Sequence, residues 1–183
     1  MPYNTESFVE YQEREIEGRK ASLIPEGRYN LIVEEAGVTD VNGTPRLMIR
    51  HRVEGSNDPK TLDRIHNEFI NWYASENTTS DKPVEERQRG LRGFMTRKLD
   101  CYHKAMATCP TSTQELGESF NDALEGLRQA EDVEEVTALL EAIGSLLEGQ
   151  FVTAKISHSN NGWANLMAEA FDPSIGAHQA VTV

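Results

Sequence analysis

The chain holds two cysteines in 183 residues, Cys101 and Cys109. A zinc site needs closely spaced pairs with partner ligands, and none stands beside them. They are expected to be plain thiols. No run approaches the roughly 18 apolar residues required to cross a bilayer, so no membrane partner is expected. The opening "MPYNTESFVEYQERE" has neither a basic n-region nor an apolar h-region. It therefore reads as no secretory leader, and the cytoplasm is the expected location. The five histidines, at 51, 66, 103, 158 and 178, show no ligand spacing. There is no phosphate-binding glycine loop, no HExxH and no nucleophile elbow. No catalytic residue, metal or cofactor is expected, and the chain does not read as an enzyme.

What is present points to one soluble domain. Hydrophobic residues make up 38% of the chain and mean hydropathy is -0.56, which suits a real core under a well-solvated surface. The formal net charge of -12 is unevenly spread. Between Lys82 and Lys104, seven Lys/Arg face three acids, for a net +4. Between Ala105 and Gln150, ten acids face Arg128 alone, for a net -9. Segregated charge leaves room for a local cationic surface on an acidic protein.

The hydrophobic period changes along the chain. Residues 1–22 form a polar arm, with Phe8 and Tyr11 as its expected anchors. Tyr29, Leu31 and Val33 then alternate with polar neighbours, as in a half-buried strand. Asn42-Gly43 is a two-residue hairpin signal, since both positions of such a turn need positive φ. In "RLMIRHR", Leu47, Ile49 and His51 point one way with Val53, and Arg46, Met48, Arg50 and Arg52 point the other. "TLDRIHNEFINWY" reads as a third strand. Its two sets, Ile65/Asn67/Phe69/Asn71 and Arg64/His66/Glu68/Ile70/Trp72, each mix polar and apolar residues, so which of them faces solvent is ambiguous. Adjacent acids such as Glu34 and Glu35 should point to opposite faces of their strand.

Helical spacing follows from Pro83, through Leu91, Phe94, Met95, Leu99, Tyr102 and Met106, to Pro110. "STQE" from Ser112 is a capping box for a second helix. Asp132 caps a third, and Gly149 is placed to end it. Alternation returns in "QFVTAKIS" and "WANLMAEAF" around the turn "HSNNG". Three strands, helices and two strands imply a mainly β, α+β domain. The expectation is an OB-fold-like five-stranded antiparallel barrel, with helices of about 82–148 inserted between strands 3 and 4; an α+β sheet with a helical layer on one face is the competing geometry. The domain should span 23–172, with an irregular tail at 173–183.

"LIPEGRYNLIVEEAGVTDVNGTPRLMIRHRVEG" resembles the opening of a phage-encoded family long of unknown function. Pro25, Glu26, Gly27, Tyr29, Ile32, Ala36, Gly43, Leu47, Val53 and Gly55 carry the likeness. Leu147, Gly149, Phe151, Ala154, Ile156, Gly162 and Asn165 match its close. The similarity runs over about residues 23 to 172 and rests on structural glycines and apolar alternation. It implies a single-stranded-DNA-binding protein of phage replication or recombination, working in the host cytoplasm. Its partners would be single-stranded DNA, phage or host replication and recombination proteins, and further copies of itself. Many single-strand binders end in an acidic tail. "AHQAVTV" has no acid, so recruitment would fall to the acidic helices.

Single-strand binding needs cations along phosphates and aromatic faces under bases. The candidate contact set is Arg46, Met48, Arg50, Arg52, Arg64, Trp72 and Tyr73. Each has an ordinary alternative. The arginines read equally as a solvated face paired with Glu34, Glu35 or Glu68. Trp72 suits a core plug as well as a stacking platform, and Trp163 suits the core better. The basic face of the first helix is expected to pair with the acidic helices rather than to extend a DNA path. A second reading, from another class, is a protein-interaction adaptor that uses the acidic helices as its contact surface.

Overall fold

The computed structural model describes residues 17, 22–41, 44–75 and 80–176. The expected anchors Phe8 and Tyr11, the Asn42-Gly43 turn and the tail from 177 lie outside them. Two long strands, β1 (Gly27–Val41) and β2 (Thr44–Gly55), pair antiparallel up to Val41 opposite Thr44. β3 (Ile65–Asn71) adds to β2, β4 (Phe151–His158) to β1, and β5 (Ala164–Glu169) to β4. The strand order is β3-β2-β1-β4-β5. Between β3 and β4 come α1 (Val84–Met106), α2 (Gln114–Gln129) and α3 (Val133–Leu147).

The five antiparallel strands and the position of the helices match expectation, but the barrel does not. Closing this sheet would require β3 to pair with β5, and these are its two opposite edges. The physical reason is the apolar inventory of the insertion. Leu99, Tyr102, Phe120, Leu124, Leu127, Leu140, Ile143 and Leu147 are all buried. They share one core with Leu31, Val33, Leu47, Ile49, Ile70, Val152 and Ile156 of the strands. A sheet that buries one face under helices need not curl to bury it against itself. The molecule is therefore an α+β sheet with a helical layer. α3 packs on β1 and β2, α1 crosses from β3 to β5, and α2 packs on α1 and α3.

The helix ends follow from local chemistry. Asp132 Oδ1 accepts from the amides of Glu134 at 2.8 Å and Glu135 at 3.2 Å, as its cap position predicts. Gly149 takes φ +76° after α3, a conformation that costs a residue with a Cβ, and its amide donates to Val33 O at 2.8 Å. α2 starts one residue later than the capping box implies. Thr113, not Ser112, is the N-cap, and its Oγ1 accepts from Leu116 N at 3.2 Å. Glu115 then falls one position short of the reciprocal bond.

β1 carries an irregularity that alternation did not foresee. The register passes from Val33 opposite His51 to Glu35 opposite Arg50, so Glu34 is the extra residue of a bulge. The bulge breaks period two and puts both Glu34 and Glu35 on the solvent side. Ala36 stays inside, and its amide is satisfied by Glu148 Oε1 at 3.0 Å.

Candidate functional site

The sheet has two unlike faces. On β2, Leu47, Ile49, His51 and Val53 are buried under the helices, and Arg46, Met48, Arg50 and Arg52 lie on the opposite face. β3 resolves the ambiguity of its two sets. Ile65, Asn67, Phe69 and Asn71 face outward, whereas Glu68, Ile70 and Trp72 are buried. Cross-strand register places Met48 opposite Phe69, Arg46 opposite Asn71 and Arg50 opposite Asn67. No helix among the described residues packs on this face. Its far end is crossed by the segment after β5, where Asn30 Nδ2 donates to Asp172 O at 2.8 Å and Asp172 N donates to Thr153 Oγ1 at 2.7 Å.

The three arginines are not equivalent. Arg46 lies over the Phe69 ring, its guanidinium carbon 4.1 Å from the centroid, and its Nε donates to Thr39 Oγ1 at 3.2 Å. It has no carboxylate partner among the described residues. Arg50 meets Glu34 at 3.5 Å. Arg52 meets three acids, Glu34 and Glu54 at 2.5 Å and Asp63 at 3.3 Å. Its guanidinium is held more strongly protonated than usual, first by the hydrogen bond to Glu34. Around Arg52 the acids outnumber the cation, so the end of the face near Arg46 is the more cationic one.

Other expected contacts lie elsewhere. Trp72 is only 1% exposed, so its indole presents no face to a base. Tyr73 is half-buried beside it. The Arg92 guanidinium of α1 sits 5.6 Å from the Trp72 ring and 5.4 Å from the Tyr73 ring. Arg64 turns toward the segment before β1 and donates to Ser22 O at 3.0 Å. None of the three joins the Arg46 face. Trp163, expected in the core, is 63% exposed in the turn between β4 and β5. That turn ties its backbone to Ser159 and leaves the ring outside the helical layer.

An aromatic of β3 that does share the arginine face is Phe69, 37% exposed. Its signal was present in the Ile65/Asn67/Phe69/Asn71 alternation. Only the position of the helices chose that set as the outer one.

The pairing expected between the basic helix and the acidic helices is absent among the described residues. Lys82 pairs with Glu86, Lys104 with Asp100, and Arg128 with Glu125, each within a few residues. Arg87 donates to the backbone at Lys82 and Ser75. Lys98 turns inward to a buried cluster that alternation concealed. Its ammonium pairs with Glu68 Oε1. Tyr102 O–H donates to Glu68 Oε2 at 2.6 Å, and His51 Nε2 lies 2.8 Å from the same hydroxyl. The hydroxyl has one proton, already given to Glu68, so His51 Nε2–H is the donor to it. Burial lowers His51 to about 3 and His66 to about 4, and pulls Lys98 down to about 8. At neutral pH both imidazoles are uncharged and Lys98 is the cation. Burial also holds the Tyr102 hydroxyl well above its usual range.

No group of three or more His, Cys, Asp or Glu among the described residues could hold a metal ion. Cys101 and Cys109 are free thiols. No helix among the described residues is long and apolar enough to cross a membrane. A scan against protein-family models finds no match, and a search of the curated proteins finds none either.

Proposed function

We propose that the protein binds single-stranded DNA, without catalysis and without strong sequence preference, on the helix-free face of its sheet. The observation that carries the reading is the Arg46–Phe69 pair on β2 and β3, where Phe69, Asn67 and Asn71 are exposed and Arg46, Met48 and Arg50 are half-buried beside them. Base-on-aromatic stacking is worth about 1–3 kcal/mol per base, and guanidinium groups add phosphate contact and cation–π attraction. Phe69 takes the stacking role, with Arg46 and Arg50 as the phosphate contacts. Arg52 serves mainly to organise Glu34, Glu54 and Asp63. The likeness to phage single-strand binders supports a place in replication or recombination.

The test is fluorescence anisotropy of a labelled oligo-dT at two salt concentrations. Binding should be salt-sensitive, should weaken about tenfold or more in Phe69→Ala, and should fall below detection in an Arg46→Ala/Arg50→Ala/Arg52→Ala variant. Absence of binding at low salt defeats the proposal.

A second reading is an adaptor that docks a basic partner on α2 and α3. It is favoured by their exposed acids, of which only Glu125 has a cationic partner among the described residues. Oligo-dT affinity unchanged in the triple variant, together with salt-sensitive capture of a basic protein, would favour it.

A further inference from the structure

The two edges of the sheet differ. Next to β3, Val53 N donates to Arg64 O at 3.0 Å and Asp63 N donates to Val53 O at 3.0 Å. Antiparallel bonding alternates from there, so His66, Glu68 and Ile70 direct their backbone groups to β2. Ile65, Asn67, Phe69 and Asn71 turn theirs to the free side of β3. All four residues are exposed, and none has a backbone hydrogen bond on that side among the described residues. The β5 edge is closed by comparison. Ser159 N donates to Trp163 O, so the same alternation points Leu166 and Ala168 outward, and these are only 2% and 7% exposed. Past Asn71 the open stretch of β3 is stopped by Gln88 of α1, whose side-chain amide donates to Trp72 O and accepts from Ala74 N. Within the stretch the usual blocks on edge pairing are missing. β3 has no lysine, no proline and no bulge against β2. Its inward charge, Glu68, is neutralised by Lys98.

We infer that this edge binds β3 of a second copy of the chain, antiparallel, about a two-fold axis that passes through Asn67 normal to the sheet. The side chains choose the register. A two-fold axis in an antiparallel ladder sets one residue opposite itself. Centred on Glu68, it would bring two carboxylates face to face, which destabilises a strand pair. Centred on Phe69, it would set Glu68 opposite the partner's Ile70. Centred on Asn67, it sets Ile65 opposite the partner's Phe69 on the helix-free face and His66 opposite the partner's Glu68 on the covered face. Asn67 then meets its own copy, and a side-chain amide both donates and accepts. The two sheets join into one, with both Arg46 faces on the same side. The seam uses backbone groups that a bound strand on the Arg46 face does not need, so it does not rest on the proposed function.

Sedimentation equilibrium of the full chain without DNA should show a concentration-dependent monomer–dimer exchange. Asn67→Pro removes the outward N–H at the axis and no bond to β2, a place where an edge strand tolerates proline. It should weaken dimerisation about tenfold or more. Ile65→Lys, at an exposed position, should weaken it too without constraining the backbone. Circular dichroism checks that both variants fold. Asn67→Cys should cross-link to its own copy under mild oxidation, because hydrogen-bonded partners lie about 5.5 Å apart at Cα, within disulfide reach. Asn71→Cys should not, because its copy lies about 27 Å away along the ladder. Peptide mapping separates these links from any made by Cys101 or Cys109. A chain that stays monomeric at every concentration overturns the inference. So does a dimer that Asn67→Pro and Ile65→Lys both keep in full, or an Asn71→Cys variant that cross-links as readily as Asn67→Cys.

Discussion

Tyr102 shows how much one side chain can organise. Its hydroxyl gives its proton to Glu68 and receives one from His51, while Lys98 neutralises the far oxygen of Glu68. Tyr102→Phe would leave one carboxylate oxygen and one imidazole N–H buried and unpaired. Urea denaturation should show a loss of about 2–4 kcal/mol, each unsatisfied group costing about 1–3. The same cluster sets a pH dependence. His51 and His66 titrate near 3 and 4 in the fold against about 6.5 unfolded, so the unfolded chain binds more protons between those values. Stability is therefore greatest above pH 6.5 and falls as pH drops through the window from 6.5 to about 3. Each histidine contributes about 2 kcal/mol of loss between pH 7 and pH 5. Denaturant midpoints at those two pH values should show the drop, and His51→Gln should remove part of it.

α3 and β1 approach closely at Gly144. A Cβ on Gly144 would sit 2.9 Å from Ala36 O and 3.1 Å from Ala36 C, backbone atoms that cannot swing aside. Gly144→Ala gains about 1 kcal/mol of helix propensity but forces the helix off the sheet, at a cost of about 1–3 kcal/mol. Rigid backbone on the other side puts the cost near its upper end, so thermal unfolding should show a net loss of Tm. Gly90 on α1 is the control, because a Cβ there meets nothing within 4 Å. Gly90→Ala should raise Tm. The contrast reads the closeness of α3 to the sheet, with propensity held constant.

For the whole molecule, the consequence of an open sheet is a division of labour between faces. One face is consumed by the core, and the other stays available to a ligand along β2 and β3. Acids on α2 and α3 lie on the covered side, away from Arg46, so they repel a polyanion less than the net charge of -12 suggests. If Arg46 and Arg50 are the phosphate contacts, log affinity for oligo-dT should fall against log salt with a slope of about -1.4, from about -0.7 per phosphate on a single strand. Arg46→Ala should reduce that slope by about 0.7. A slope unchanged in this variant would move the binding surface off the sheet.

The sequence alone determined the strands, the helices and most of their ends, because each depends on neighbours within a few residues. Alternation along β2 separated Leu47, Ile49 and His51 from Arg46, Arg50 and Arg52 without any tertiary information. Asp132 and Gly149 marked the ends of α3 by local hydrogen bonding and local φ. Tertiary structure alone decided what depends on which surfaces meet. The helical layer kept β3 and β5 apart, left Phe69 rather than Trp72 exposed at β3, and drew Lys98, Tyr102, Glu68 and His51 into one buried cluster. None of these could be read from spacing, because residues far apart in the chain become neighbours only when two elements pack. The energy that chooses between two mixed strand faces is the burial of everything else against one of them.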